Sequence, residues 1–162
     1  MFMNKRPIFV LFVLLQFVFA CSPSGQNMQG EHWVIFSEKQ AEESGIGSWF
    51  AQGDEPIQYW TPVEENILAL EDALGAYLQD NPDRFRNSET PVWERLNEYN
   101  RQYIGIILDG KQIIYANYFC DSVESDWKKD FVFVMDGGEC FFQFKYEVES
   151  AEFFDLQVNG EA

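Results

Sequence analysis

Tyr103-Ile104-Gly105-Ile106-Ile107-Leu108-Asp109-Gly110-Lys111-Gln112-Ile113-Ile114-Tyr115-Ala116-Asn117-Tyr118-Phe119 is two apolar runs around one Asp-Gly pair. β-Branched and aromatic residues fill both runs, and they suit a pleated, half-buried surface. Asp-Gly is a favoured two-residue turn, because a type I′ hairpin needs φ > 0 at both central positions. The stretch predicts strands over 103–108 and 112–119, joined tightly. Further along, Phe131 to Met135 and Cys140 to Val148 flank Asp136-Gly137-Gly138, a second hairpin signal. Phe153 to Val158 reads as a fifth strand, closed by Asn159-Gly160. Five short strands joined mostly by tight turns imply an antiparallel meander.

The pleat sorts the side chains. Cys140, Phe142, Phe144, Tyr146 and Val148 share one face, and Phe141, Gln143, Lys145 and Glu147 the other. The first set is apolar and predicts the core. Cys120 shares its face with Ile114, Ala116 and Tyr118, which are also core-compatible.

Upstream, Thr61-Pro62-Val63-Glu64 reads as a helix start, with Thr61 as N-cap, Pro62 at N1 and Glu64 closing a capping box. Ile67, Leu70, Leu74, Tyr77 and Leu78 then recur at helical spacing, and Asn81-Pro82 marks the end near Asp80. Thr90-Pro91 reads as a second cap-plus-N1 pair. It opens a shorter helix through Trp93, Leu96 and Tyr99. Before Trp60 the pattern is irregular: His32 to Phe36 reads as a short strand at most, Ser37 to Ser44 as a helix start, and Gly45 to Phe50 as a break. The expected fold is α+β, with one or two N-terminal helices packed on a four- to five-stranded antiparallel meander. In outline this is similar to the cystatins. The analogy implies an inhibitor or an assembly accessory.

The formal net charge is −16. A chain this acidic repels nucleic acid and anionic headgroups, which argues against both as partners. Aromatics make up 17% of the chain, too many for a disordered acidic polymer, so the body should fold.

The N-terminal pattern is Lys5-Arg6, an apolar run from Ile8 to Ala20, Val18-Phe19-Ala20-Cys21, and then polar Ser22-Pro23-Ser24-Gly25-Gln26-Asn27. It resembles the signal peptide and lipobox of bacterial lipoproteins, with Val at −3 and Phe at −2 as departures from the commonest form. The apolar run falls short of the roughly 20 residues a membrane span needs. The resemblance implies cleavage before Cys21, diacylglycerol on its sulfur with added acyl chains such as palmitate, and a place in the cell envelope. Ser22 at +2 fits the periplasmic face of the outer membrane in a two-membrane host. The expected organisation is a signal peptide over 1–20, a flexible tether over 21–30 and a single α+β domain over 31–162. Loss of Lys5 and Arg6 with the signal would leave nine basic against 27 acidic residues, a net of −18. Arg101-Gln102-Tyr103-Ile104-Gly105 through Phe119-Cys120, Asp136-Gly137-Gly138-Glu139-Cys140-Phe141-Phe142 and the ending Val158-Asn159-Gly160-Glu161-Ala162 look similar to uncharacterised secreted bacterial proteins. That resemblance implies no activity.

With Cys21 lipidated, Cys120 and Cys140 remain as an even pair in an oxidising compartment, so a disulfide is expected. The rival reading is two buried thiols.

Candidate chemistry is sparse. His32 is the sole histidine, and no nucleophile elbow accompanies it. Asp121, Glu124, Asp126 and Asp130 form an acidic loop, but the central glycine of an EF-hand is missing and two lysines intervene. Paired carboxylates for glycoside hydrolysis are set by spatial rather than sequential distance. Trp49, Phe50, Tyr59 and Trp60 cluster before the first helix, as a staple onto the core or as a binding surface. The expectation is a lipid-anchored extracytoplasmic domain that is a non-enzymatic binder or accessory. It has no cofactor, catalytic residue or metal site assigned. Its partners would be the membrane, through the lipid on Cys21, and an envelope protein. The alternative is a carboxylate- or metal-dependent hydrolase.

Overall fold

The computed structural model describes residues 28–50, 56–85 and 89–160. The signal segment and Cys21 lie outside the described residues. The elements are β1 (Met28–Gln29), β2 (Trp33–Ile35), α1 (Glu38–Glu43), β3 (Gln58–Trp60), α2 (Glu64–Gln79), β4 (Asn100–Leu108), β5 (Lys111–Phe119), β6 (Phe141–Glu147) and β7 (Glu152–Val158), linked by short 3-10 turns. Met28 and Gln29, at the end of the expected tether, pair with Ile35 and Val34.

The hairpin forms around the Asp-Gly pair. β4 and β5 pair antiparallel from Asn100↔Phe119 to Leu108↔Lys111. Asp109 and Gly110 take φ of 51° and 76°, the sign a type I′ turn requires. β6 and β7 continue the antiparallel order.

The expected meander is corrected on the other side of β4. β2 runs parallel to β4 along Arg101–Tyr103, and β3 runs antiparallel along Gly105–Ile107. The sheet is therefore seven-stranded and mixed, with the order β1-β2-β4-β5-β6-β7 and β3 also on β4. The molecule is more β-rich than expected, and the cystatin-like outline goes with that correction. Gly105 explains how β3 docks: a Cβ there would run into the Trp60 carbonyl oxygen, so only glycine admits the close approach.

α2 is the one helix longer than seven residues among the described elements. It buries Ile67, Leu70, Leu74 and Leu78 against Tyr103, Ile114, Ala116, Tyr118, Phe142 and Phe144. Burying such a side chain fully is worth about 1.5–3 kcal/mol. Its start lies later than expected. Val63 is the N-cap, and its N–H donates to Asn66 Oδ1 at 3.1 Å. Thr61 serves a different helix: α1 is capped by Ser37, and the Thr61 hydroxyl accepts from the Glu38 N–H at 2.9 Å in its first turn.

The expected second helix is two 3-10 turns, Val92–Glu94 and Leu96–Glu98, separated by Arg95 at φ −126° and ψ 24°. Pro91 has ψ 140° and so stands outside the turn rather than at N1. Segments this short do not sustain a helix by propensity. Tertiary contacts shape them instead: Val92 is buried, and the buried Tyr99 hydroxyl donates to the Glu139 carbonyl at 2.9 Å.

Residues 131–135 are not a strand. Their backbone is held by side-chain amides from the sheet face opposite α2. Gln102 Oε1 accepts from the Val132 N–H at 3.0 Å, and Asn117 Nδ2 donates to the Val132 carbonyl at 2.8 Å. Gln102 Nε2 donates to the carbonyls of Trp127 and Asp130, and Asn159 Nδ2 to that of Val134. Gln102 and Asn117 are cross-strand partners, and Asn117 Nδ2 also donates to Gln102 Oε1 at 3.1 Å. The second face is thus covered by α1, the turn after it and the long 121–136 loop. The result is three layers rather than two. Asn117→Leu keeps the branched outline of the side chain but orphans the Val132 carbonyl, so it should cost about 1–3 kcal/mol in denaturant unfolding. An unchanged midpoint would show that the amides do not hold this loop.

Candidate functional site

The sheet face opposite α2 carries an open groove of about 400 Å³, within the range of small-ligand sites. One wall is aromatic. α1 ends at Ser44, and Gly45 turns the chain left-handed at φ 71° into the 3-10 turn Ile46–Trp49. That turn sets the Trp49 ring 4.4 Å from the Phe133 ring and 5.9 Å from Phe131, both edge to face. Trp49 is 49% exposed, Phe133 58% and Met135 79%, so three of the five exposed large hydrophobics among the described residues border this groove. Trp49, Phe131 and Phe133 also line a second hollow of about 460 Å³ beside α1, in the same size class. They form a ridge between the two.

The other wall is polar and comes from β6 and β7. Between these strands the register shifts: Gln143 pairs with Gln157 and Lys145 with Phe154, so Asp155 and Leu156 together oppose Phe144. This is a β-bulge. It reverses the alternation, since Phe154 packs with the face opposite α2 while Leu156 enters the α2-side core. Asp155 carries the strain at φ 53° and accepts from Lys145 Nζ at 2.8 Å. Lys145 Nζ also lies 5.4 Å from the Phe50 ring centroid and 5.8 Å from that of Phe154. At the floor, Tyr115 packs on Phe50 at 4.9 Å, and burial pushes its phenol pKa up.

The aromatic residues singled out from sequence divide. Trp49 and Phe50 line the groove. Tyr59 packs with the same face but outside the groove lining, and Trp60 packs with the α2-side core, its Nε1 donating to the carbonyls of Ile106 and Ile113. Cys120 and Cys140 form the disulfide, with Cα atoms 5.0 Å apart. Cys140 belongs to the 3-10 turn before β6 and packs beside Phe119, Val132 and Phe141, so the pleat does not carry it to the Phe142 face. His32 is half exposed, with Nδ1 3.3 Å from Asn100 Oδ1. In the acidic loop, Lys129 Nζ lies 2.6 Å from Asp126 Oδ2 and holds that carboxyl below its usual range. Among the described residues no group of three or more His, Cys, Asp or Glu converges on a point.

A second polar cluster lies under α2. The buried hydroxyls of Tyr103 and Tyr118 both donate to Glu71 Oε1 and lie 3.1 Å from one another. Arg101 Nη1 is 3.4 Å from Glu71 Oε2, and its Nη2 donates to the Leu96 carbonyl at 2.6 Å. Burial raises both phenol pKa values well above the ordinary 10.0, with the nearby Glu71 charge adding to it. The cluster ties the helix to the sheet.

No family model, curated protein or solved structure matches this chain.

Phe133, Met135, Lys145 and Asp155 are among the groove residues that sequence reasoning missed. The alternation of Phe131, Phe133 and Met135 with Val132 and Val134 reads as a strand, but the segment pairs with no strand and is held by side-chain amides instead. The available further signal was chemical: the second sheet face carries Gln102, Asn117 and Gln143, amides suited to hold a covering segment.

Proposed function

We propose that this chain is a lipid-anchored extracytoplasmic protein whose folded domain binds an envelope component in the groove beside Trp49. The observation that carries the binding role is the exposed ridge of Trp49 and Phe133 with neighbouring Met135. Scattered single apolar residues are ordinary on a surface, whereas a contiguous group beside a concavity marks a contact site. The anchoring role rests on the basic start, the apolar run and Cys21. The Cys120–Cys140 disulfide supports it, because such bonds persist in oxidising compartments. In a two-membrane host, Ser22 directs the protein to the periplasmic face of the outer membrane. A carboxylate hydrolase needs two acids facing one bond. Among the described residues the groove lining contains Asp155 as its one carboxylate, and that favours binding.

Cys21→Ser should move the protein from the membrane fraction to the soluble extracytoplasmic fraction. Intact mass of the wild type should show a chain starting at Cys21 with added acyl mass. A variant that stays membrane-bound, or a wild type with neither cleavage nor acyl mass, would refute the anchor.

A further inference from the structure

We infer that the groove between Trp49 and the β6–β7 bulge takes a neutral oligosaccharide, with the aromatic ridge as its stacking platform and the Lys145–Asp155 pair as its hydroxyl contact. This rests on the reading of the groove as a binding site.

A sugar ring offers two apolar C–H faces and a rim of hydroxyls, each both donor and acceptor. The groove presents the matching pair of walls. Trp49 and Phe133 give exposed ring surface, while Lys145, Asp155 and Gln157 place a donor, an acceptor and an amide opposite. Other ligand classes fit worse. A hydrocarbon would strip water from the Lys145–Asp155 pair and return no hydrogen bond. An anion would approach a chain of net charge −16 and find Lys145 already 2.8 Å from Asp155. A cation would find the position over the Phe50 ring taken by Lys145 Nζ. A neutral polyol satisfies both members of the pair without separating them.

The backbone gives a second, independent observation. Asp155 takes φ 53°, a left-handed region that few residues besides glycine, asparagine and aspartate adopt, inside a bulge that breaks the β6–β7 ladder. Bulges recur where a strand must re-aim one side chain. Here the re-aimed side chain is the only carboxylate lining the groove among the described residues.

The test titrates the full chain with cellotetraose and with the N-acetylglucosamine tetramer, reading tryptophan fluorescence and heat. Saturable binding of at least one is expected. Trp49→Ala should weaken it about tenfold through loss of the stacking surface. Asp155→Asn keeps a residue that tolerates the left-handed backbone. It should weaken binding about tenfold through loss of a charge-assisted bond. Both variants should melt cooperatively, which separates lost binding from lost folding. Flat titrations with both sugars, or binding indifferent to Trp49→Ala, would overturn the inference. A Trp49-dependent signal with oligolysine and none with sugars would overturn the saccharide while leaving the groove a binding site. Cys21→Ser should bind the sugars as the parent does, so failure of the anchor and failure of the ligand read out separately.

Discussion

Replacing Glu71 by leucine is expected to lower the unfolding free energy by about 3 kcal/mol. One carboxylate serves three groups at once. It accepts from the Tyr103 and Tyr118 hydroxyls and neutralises Arg101. Without it, the two hydroxyls can still pair with one another across 3.1 Å, but one O–H is left with no acceptor. Arg101 keeps its bond to the Leu96 carbonyl and loses its counter-charge. Breaking a fully buried ion pair costs about 3–5 kcal/mol, and the 23% exposure of the Glu71 side chain places the value at the low end. Glu71→Gln, which retains an acceptor, should cost less. The double variant Glu71→Leu/Arg101→Leu should cost less than the sum of the two single changes, since it removes both charges together. Additive losses in denaturant midpoints would show that the two residues do not act as a pair. The same cluster sets the alkaline limit of the fold. Tyr103 and Tyr118 are held well above the ordinary value by burial, and burial lifts Tyr99 to about 12. In the unfolded chain these phenols ionise near pH ~10. Their contribution is therefore fully present below that pH and is lost as pH rises toward the folded values. The share of the tyrosinate absorbance that belongs to Tyr99, Tyr103 and Tyr118 should appear with unfolding rather than before it.

Cys140→Ser should lower stability by about 2–5 kcal/mol, and reduction of the wild type should do the same. The bond closes a loop with a sequence separation of 20, worth about 3 kcal/mol in the chain-entropy model. It also continues the β5–β6 pairing past Phe119↔Phe141, where the Cys120 N–H donates to the Cys140 carbonyl at 3.0 Å. The enclosed loop carries Phe131, Phe133 and Met135, so the same variant should weaken any ligand held by the groove. A melting temperature unmoved by reductant would refute the structural role of the bond.

How much of this was legible in the sequence depended on range. The β4–β5 hairpin was readable because Asp109-Gly110 is a local signal with a local cause. The buried stripe of α2 was readable because Leu70, Leu74 and Leu78 need only helical geometry to align. Thr61-Pro62 misled, because the Thr61 hydroxyl is engaged by the first turn of α1, 23 residues away, while Val63 stands at the α2 N-cap. The parallel pairing of Trp33–Ile35 with Arg101–Tyr103 has no local trace at all. Period-2 patterning at 131–135 reads as a strand, yet the segment joins no sheet, because side-chain amides of Gln102, Asn117 and Asn159 take its backbone groups. The bulge at Asp155 was invisible for a related reason: Phe153-Phe154-Asp155-Leu156 reads as an imperfect strand, and only the register with Gln143 and Lys145 shows where the extra residue sits. The groove inherits these limits, because each of its walls depends on a long-range contact.

β7 is the last strand in the sheet order, and its bulge has a colloidal consequence. An uncovered sheet edge is a template for further chains, and the risk grows with local concentration. Here the edge is interrupted at Asp155–Leu156 and carries the exposed carboxylates of Glu152 and Asp155. A second copy sliding its own β7 alongside would meet like charge and a broken hydrogen-bond ladder. The bulge that aims a side chain into the groove thereby also disfavours edge-to-edge addition of a second copy.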